Sequence, residues 1–202
     1  MATFDDRYLT VPENLLRRNL THKILLEILL YIWEERNGWM MEEFRKKLGE
    51  ASTFGEIFEL VKKAVKKTIG LHRAGLELVL MDLPNNIGAM HEVGSNIIIM
   101  NEALLEAFLQ VARNKIEVNS YVFVILLHEY LHSLGYIDEE EVRVLVKRIV
   151  TEVLGEDHIT YHLATNSLFE LYPELQMIGP GRIGRDTKIV RDFDRESTHY
   201  IS

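Results

Sequence analysis

The sequence predicts an α+β protein: a small, mostly antiparallel sheet packed against one strongly apolar helix, with further helices around it. Three observations lead there. Apolar residues recur at helical spacing through two N-terminal stretches. The period then changes to that of strands between residues 76 and 100. Finally, Tyr121 to Tyr136 reads YVFVILLHEYLHSLGY, a helix apolar on nearly every side that carries two histidines and a glutamate.

Taken in order, a first helix is expected from Pro12 to about Arg36, with Leu15, Leu16, Leu20, Ile24, Leu25, Ile28 and Ile32 on its apolar positions. Asn37-Gly38 should end it, and a short helix should follow from Met40 to Leu48, stopped by Gly49. Thr53 and Glu56 have the spacing of a capping box for a helix running to about Ile69, closed by Gly70. Leu76 to Leu83 reads as a buried strand. Ile87 to Val93 and Asn96 to Met100 read as two strands joined at Gly94-Ser95. Asn101 should cap a helix to about Ala112. The apolar helix should begin at Asn119 or Ser120 and end near Gly135, with later helices over Glu139 to Leu154 and Ile159 to Leu171. Residues 1–178 are expected to form one catalytic domain, helical over 1–70, and 179–202 a polar C-terminal tail.

Composition narrows the function. A chain of 202 residues with 47% apolar and 27% charged residues is an ordinary globular domain. Its formal net charge of -8 makes nucleic acid an unfavourable partner, because backbone binding relies on excess Lys and Arg. Cysteine is absent, so any metal must be held by His, Asp or Glu. The N-terminus lacks the basic-then-apolar order of a signal peptide, and the longest apolar run, Tyr121 to Leu127, is too short to span a bilayer. The expectation is a cytoplasmic protein with no membrane partner.

The chemistry lies in H-E-x-x-H. On a helix, His128 and His132 are one turn apart on the same face, so both rings can reach one ion. Glu129 is turned about 100° away, at the edge of the same site. It is positioned as general base toward a water activated by zinc. Two histidines and a glutamate inside so apolar a helix would cost about several kcal/mol if unpaired, and a metal removes that cost. The bland alternative is a core helix whose polar groups find ordinary hydrogen bonds.

The longer pattern H-E-x-x-H-x-x-G-x-x-D, from His128 through Gly135 to Asp138, resembles the metzincin clan of zinc peptidases. The resemblance implies a zincin-like fold, one zinc per chain, peptide or protein substrate, and Asp138 as third ligand after His128 and His132. Asp138 equally suits a helix N-cap with Glu141 completing a box. Glu139, Glu140 and Glu141 are rivals that would resemble the gluzincins, whose third ligand is a Glu on a following helix. His158 and His162, one turn apart, are further candidates. The resemblance also implies that Ile87 to Met100 borders the substrate cleft, and that Met177 lies under the metal. Oxyanion donors could come from Tyr136, His158, Tyr161, His162 or Tyr172.

A second resemblance is to the bacterial rRNA-maturation endoribonucleases, whose H-G-x-L-H-x-x-G-Y-D-H shares Leu131, Gly135 and Tyr136 with this chain. Glu129 stands where that family has Gly. The leading expectation is therefore a zinc metallopeptidase. The alternatives are a metal-dependent single-strand endoribonuclease and a non-catalytic zinc-binding protein. The tail from Arg182 to Ser202 is a candidate for blocking the cleft.

Overall fold

The computed structural model describes residues 13–184 and 186–194. Pro12, the expected first helical residue, and tail residues 195–202 lie outside them. The chain divides into two compact units, residues 1–40 and 41–202. The first contains the N-terminal part of helix α1 (Glu13–Glu50). The second contains everything that builds the site.

The two helices expected on either side of Asn37-Gly38 are one element, α1. A single Gly costs a helix only about 1 kcal/mol, which its neighbours can outweigh. Nothing lies within 4 Å of the place a Cβ would take at Gly38. Helix α2 (Phe54–Ile69) begins with the capping box predicted from Thr53 and Glu56 and ends at Gly70, whose φ of 74° is left-handed. Its face of Ile57, Phe58, Val61 and Val65 is buried in the core.

The sheet contains β1 (Glu77–Met81), β2 (Ala89–His91), β3 (Ile97–Asn101) and β4 (Thr187–Val190), in the order β2-β3-β1-β4. β2 and β3 form the expected hairpin, and β4 is antiparallel to β1, but β1 and β3 run parallel. The sheet is therefore mixed. Asn101 caps α3 (Glu102–Val111), accepting from the Leu104 N–H. Its amide also donates to the carbonyls of Leu83, Pro84 and Ile87, tying the β1–β2 connection to the end of β3.

Helix α4 (Lys115–Ser133) starts earlier than its apolar pattern suggests. Asn114 accepts from the Glu117 N–H, and the Glu117 carboxylate accepts from the Arg113 N–H, so the start is set by polar capping. Asn119, expected near the start, is buried inside the helix and donates to the carbonyls of Leu48 and Ala51. Helix α5 (Glu139–Leu154) matches its predicted bounds. The last predicted helix is broken at Asn166-Ser167 into α6 (Ile159–Thr165) and α7 (Leu168–Leu171). A 3-10 turn follows over Pro173–Ile178.

Residues 187–194, within the segment expected to be a polar tail, join the fold. Phe193 stacks on Phe58 with ring centroids 4.3 Å apart. Asp194 is buried, pairs with buried Lys62 at 2.7 Å and accepts from the N–H groups of Gly75 and Leu76. Phe193 supplies apolar area, and Asp194 satisfies groups that burial would otherwise leave bare. Charge signs along a segment do not reveal such pairings. Among the described residues, no helix is long and apolar enough to cross a membrane.

Candidate metal centre

His128 and His132 lie on the last turns of α4. Their Nε2 atoms are 3.0 Å apart, and the rings meet edge to face. After α4 the chain turns through Gly135, whose φ of 102° is open to glycine and strained for other residues. That turn brings the first residue of α5, Glu139, back over the histidines. One Glu139 oxygen is 3.3 Å from His128 Nε2, and the other is 3.2 Å from His132 Nε2.

These separations fit a metal. A tetrahedral zinc with nitrogen and oxygen ligands at about 2.0–2.1 Å sets those ligands roughly 3.3 Å from one another. The ring orientation fits too. His132 Nδ1 lies 2.7 Å from the Tyr136 carbonyl, which can only accept, so Nδ1 carries the proton and Nε2 offers its lone pair. Burial, and after it the neighbouring His132, lower the His128 pKa and favour its neutral form. Two imidazole nitrogens and a carboxylate thus crowd one point, where a divalent cation would balance them.

Asp138, the third ligand implied by the metzincin resemblance, is used differently. Its side chain caps α5, accepting from the Glu141 N–H at 2.9 Å. The three metal-ligating side chains that the structure brings together are His128, His132 and Glu139. Both roles had been open for Asp138, and Glu139 had been among the rivals. The choice turns on how sharply the chain bends at Gly135, which spacing alone does not reveal. Glu140 and Glu141 are exposed and outside the cluster. His158 caps α6, with Nδ1 2.9 Å from the Thr160 hydroxyl, and His162 is exposed on the same helix. Met177 is 88% exposed on the 3-10 turn, so it does not form a buried floor beneath the histidines. Tyr172 is buried against Phe108, with ring centroids 4.9 Å apart, as part of the core.

Glu129 is only 5% exposed and borders the same cavity as the three ligands. Burial, and after it the Glu139 carboxylate, push its carboxyl up to about 8. The cavity, about 530 Å³, runs between α4 and the edge strand β2. Its wall from Asn86 to His91 approaches α4 closely at Gly88. A Cβ there would sit 2.8 Å from Ile125 Cδ1. Ile87, Met90, Val124, Ile125 and Ile137 make much of the wall apolar, and no described Lys or Arg lines it. His91 also borders the cavity, with Nδ1 3.0 Å from the Ile97 carbonyl, and sequence reasoning missed it. Only its place in β2, beside α4, brings it there.

Of the segment from Arg182 to Ser202, a candidate for blocking the cleft, only 182–184 and 186–194 are among the described residues. β4 is at the sheet edge opposite β2. No family model, curated protein or solved structure matches this chain.

Proposed function

We propose that the chain is a zinc-dependent metallopeptidase of zincin-like organisation, with His128, His132 and Glu139 as metal ligands and Glu129 as general base. One observation carries the reading: three side chains with ligand atoms, His128, His132 and Glu139, approach one another to 3.0–3.3 Å beside a buried carboxyl in an open cavity. Three protein ligands leave the fourth zinc position free, the arrangement of catalytic rather than structural sites. Zinc there would polarise a carbonyl and lower the pKa of water to about 7. Glu129 would take a proton on its carboxylate and return it to the leaving amine.

The surroundings suit a peptide. β2 is an edge strand bordering the cavity, and an extended peptide can add to such an edge. The apolar wall and the absence of lining Lys or Arg among the described residues do not suit a polyphosphate backbone. A ligand from the helix after H-E-x-x-H is the gluzincin arrangement. This part of the proposal replaces the metzincin-like Asp138. A cytoplasmic place of action is part of this proposal.

The test uses the full chain loaded with zinc, against a mixed peptide library, an unfolded protein and single-stranded RNA, each with and without chelator. Chelator-sensitive peptide cleavage is expected. Glu129→Gln should retain zinc while losing about two to four orders of magnitude in rate. Chelator-sensitive RNA cleavage with inert peptides would replace this reading with a nuclease. Inertness toward every substrate, with zinc bound at stoichiometry, would make the site structural.

A further inference from the structure

The N-terminal unit presents a surface that water does not suit. Residues 23–31 of α1 read KILLEILLY. Ile24, Leu25, Leu26, Ile28, Leu29 and Leu30 are each 47–60% exposed, Tyr31 is 63% exposed and Trp39 80%. At 100° per residue, Ile24, Leu25, Ile28 and Leu29 make one continuous face. Leu26, Leu30 and Tyr31 widen it on both sides. Lys23 and Glu27, one turn apart, hold the narrow strip that remains.

A helix at a protein surface usually turns its apolar stripe inward, whereas here the face of Ile24, Leu25, Ile28 and Leu29 is exposed. About half the surface of seven such side chains, with most of Trp39, comes to on the order of 800 Å². That exceeds the ~300–600 Å² patch of a typical monomer.

We propose that this helix pairs antiparallel with the same helix of a second copy, forming a two-fold dimer through residues 13–40. The distribution of charge selects the partner. The whole chain carries -8, yet residues 13–36 hold four acidic and four basic side chains, so two copies meet there without net repulsion. The charges are also sorted along the helix. Glu13, Arg17 and Arg18 leave its start net basic by one charge, and Glu34, Glu35 and Arg36 leave its end net acidic by one. Antiparallel pairing sets the basic start of each copy beside the acidic end of the other, and two-fold symmetry repeats each contact. A membrane suits the helix less well. It is not long and apolar enough to cross one, and its polar strip of Lys23 and Glu27 lacks the basic character of helices that lie on anionic lipid.

The experiment weighs the full chain by light scattering after gel filtration, from 0.5 to about 50 µM, spanning micromolar affinities. The expected mass is twice the 23.5 kDa of one chain. Leu25→Glu/Leu29→Glu should give monomers at every concentration, while its circular dichroism melt retains the transition of residues 41–202. Gly38→Cys, in open space on a chain without other cysteines, accepts a spin label. Two labels should lie roughly 30 Å apart in the antiparallel pair and roughly 10 Å apart in a parallel one. A monomeric wild type, a mass above the dimer, a dimer that survives the double variant, or the short label distance would each overturn the proposal. So would a solution monomer that floats with phosphatidylserine vesicles, which would assign the face to lipid. None of these readouts involves the metal centre, so the outcome is independent of the peptidase reading.

Discussion

Glu129→Gln has a consequence for stability that is separate from catalysis. In the metal-free protein the Glu129 carboxyl titrates at about 8, against 4.5 for the free side chain. The folded state therefore prefers the protonated form. Below pH 4.5 both states are protonated, and burial of this group carries no ionisation cost. As pH rises from 4.5 toward 8, the unfolded chain releases the proton freely while the folded chain holds it, so stability falls. At about 1.36 kcal/mol per pH unit, the loss specific to Glu129 between pH 5 and pH 7 is about 2–3 kcal/mol. Gln keeps the shape and has no proton to release, so the variant escapes this loss. Other titrating groups, including His128, are common to both proteins and largely cancel in the difference. The assay is urea unfolding of wild type and variant in excess chelator at pH 5, 6 and 7. Circular dichroism is the suitable probe, because both tryptophans, Trp33 and Trp39, lie in the N-terminal unit. The variant should gain on wild type by about 2–3 kcal/mol over that range. Saturating zinc should shrink the gain, since a nearby cation favours the carboxylate. Parallel pH dependences for the two metal-free proteins would refute the argument.

Three further outcomes follow from the geometry. Glu139→Gln should weaken zinc binding by more than about 100-fold in competition with a calibrated chelator, whereas Asp138→Ala should leave affinity nearly unchanged and cost about 1 kcal/mol of stability. The reverse ranking would return the third ligand to Asp138. Lys62→Met leaves Asp194 without its buried ammonium partner and should cost about 3–5 kcal/mol in urea unfolding, and a loss below about 1 kcal/mol would contradict the buried pair. A chain ended after Gly179 loses β4, Phe193 and Asp194, so it should lose cooperative melting rather than gain activity. A cooperatively folded, more active truncation would restore the segment as an inhibitory tail.

Short-range patterns were legible from the residues. The capping box of Thr53 and Glu56, the Asn101 cap and the bounds of α5 depend on contacts within four residues, and the structure has them as predicted. The pairing of His128 with His132 is equally local, because one helical turn places both rings on one side. Even the wide apolar arc of α1 is a matter of periodicity. What went unread involved competition between local signals and distant partners. Gly38 has the chemistry of a helix stop, yet α1 continues through it. The apolar run near Tyr121 drew attention away from the polar cap at Asn114, where α4 begins.

The sequence by itself determined that a two-histidine, one-glutamate helix exists, that it is buried, and that the chain offers no cysteine as a ligand. These follow from helical geometry and composition, which need no knowledge of the rest of the chain. Only the tertiary structure decided which carboxylate faces the histidines, because Asp138 and Glu139 are adjacent and the bend at Gly135 aims one at the cap and the other at the site. It also decided that β4 joins the sheet beside β1 and that Phe193 and Asp194 are buried behind it. Their partners, Lys62, Phe58 and β1, are more than a hundred residues away, and nothing in a local pattern records a contact made across that separation.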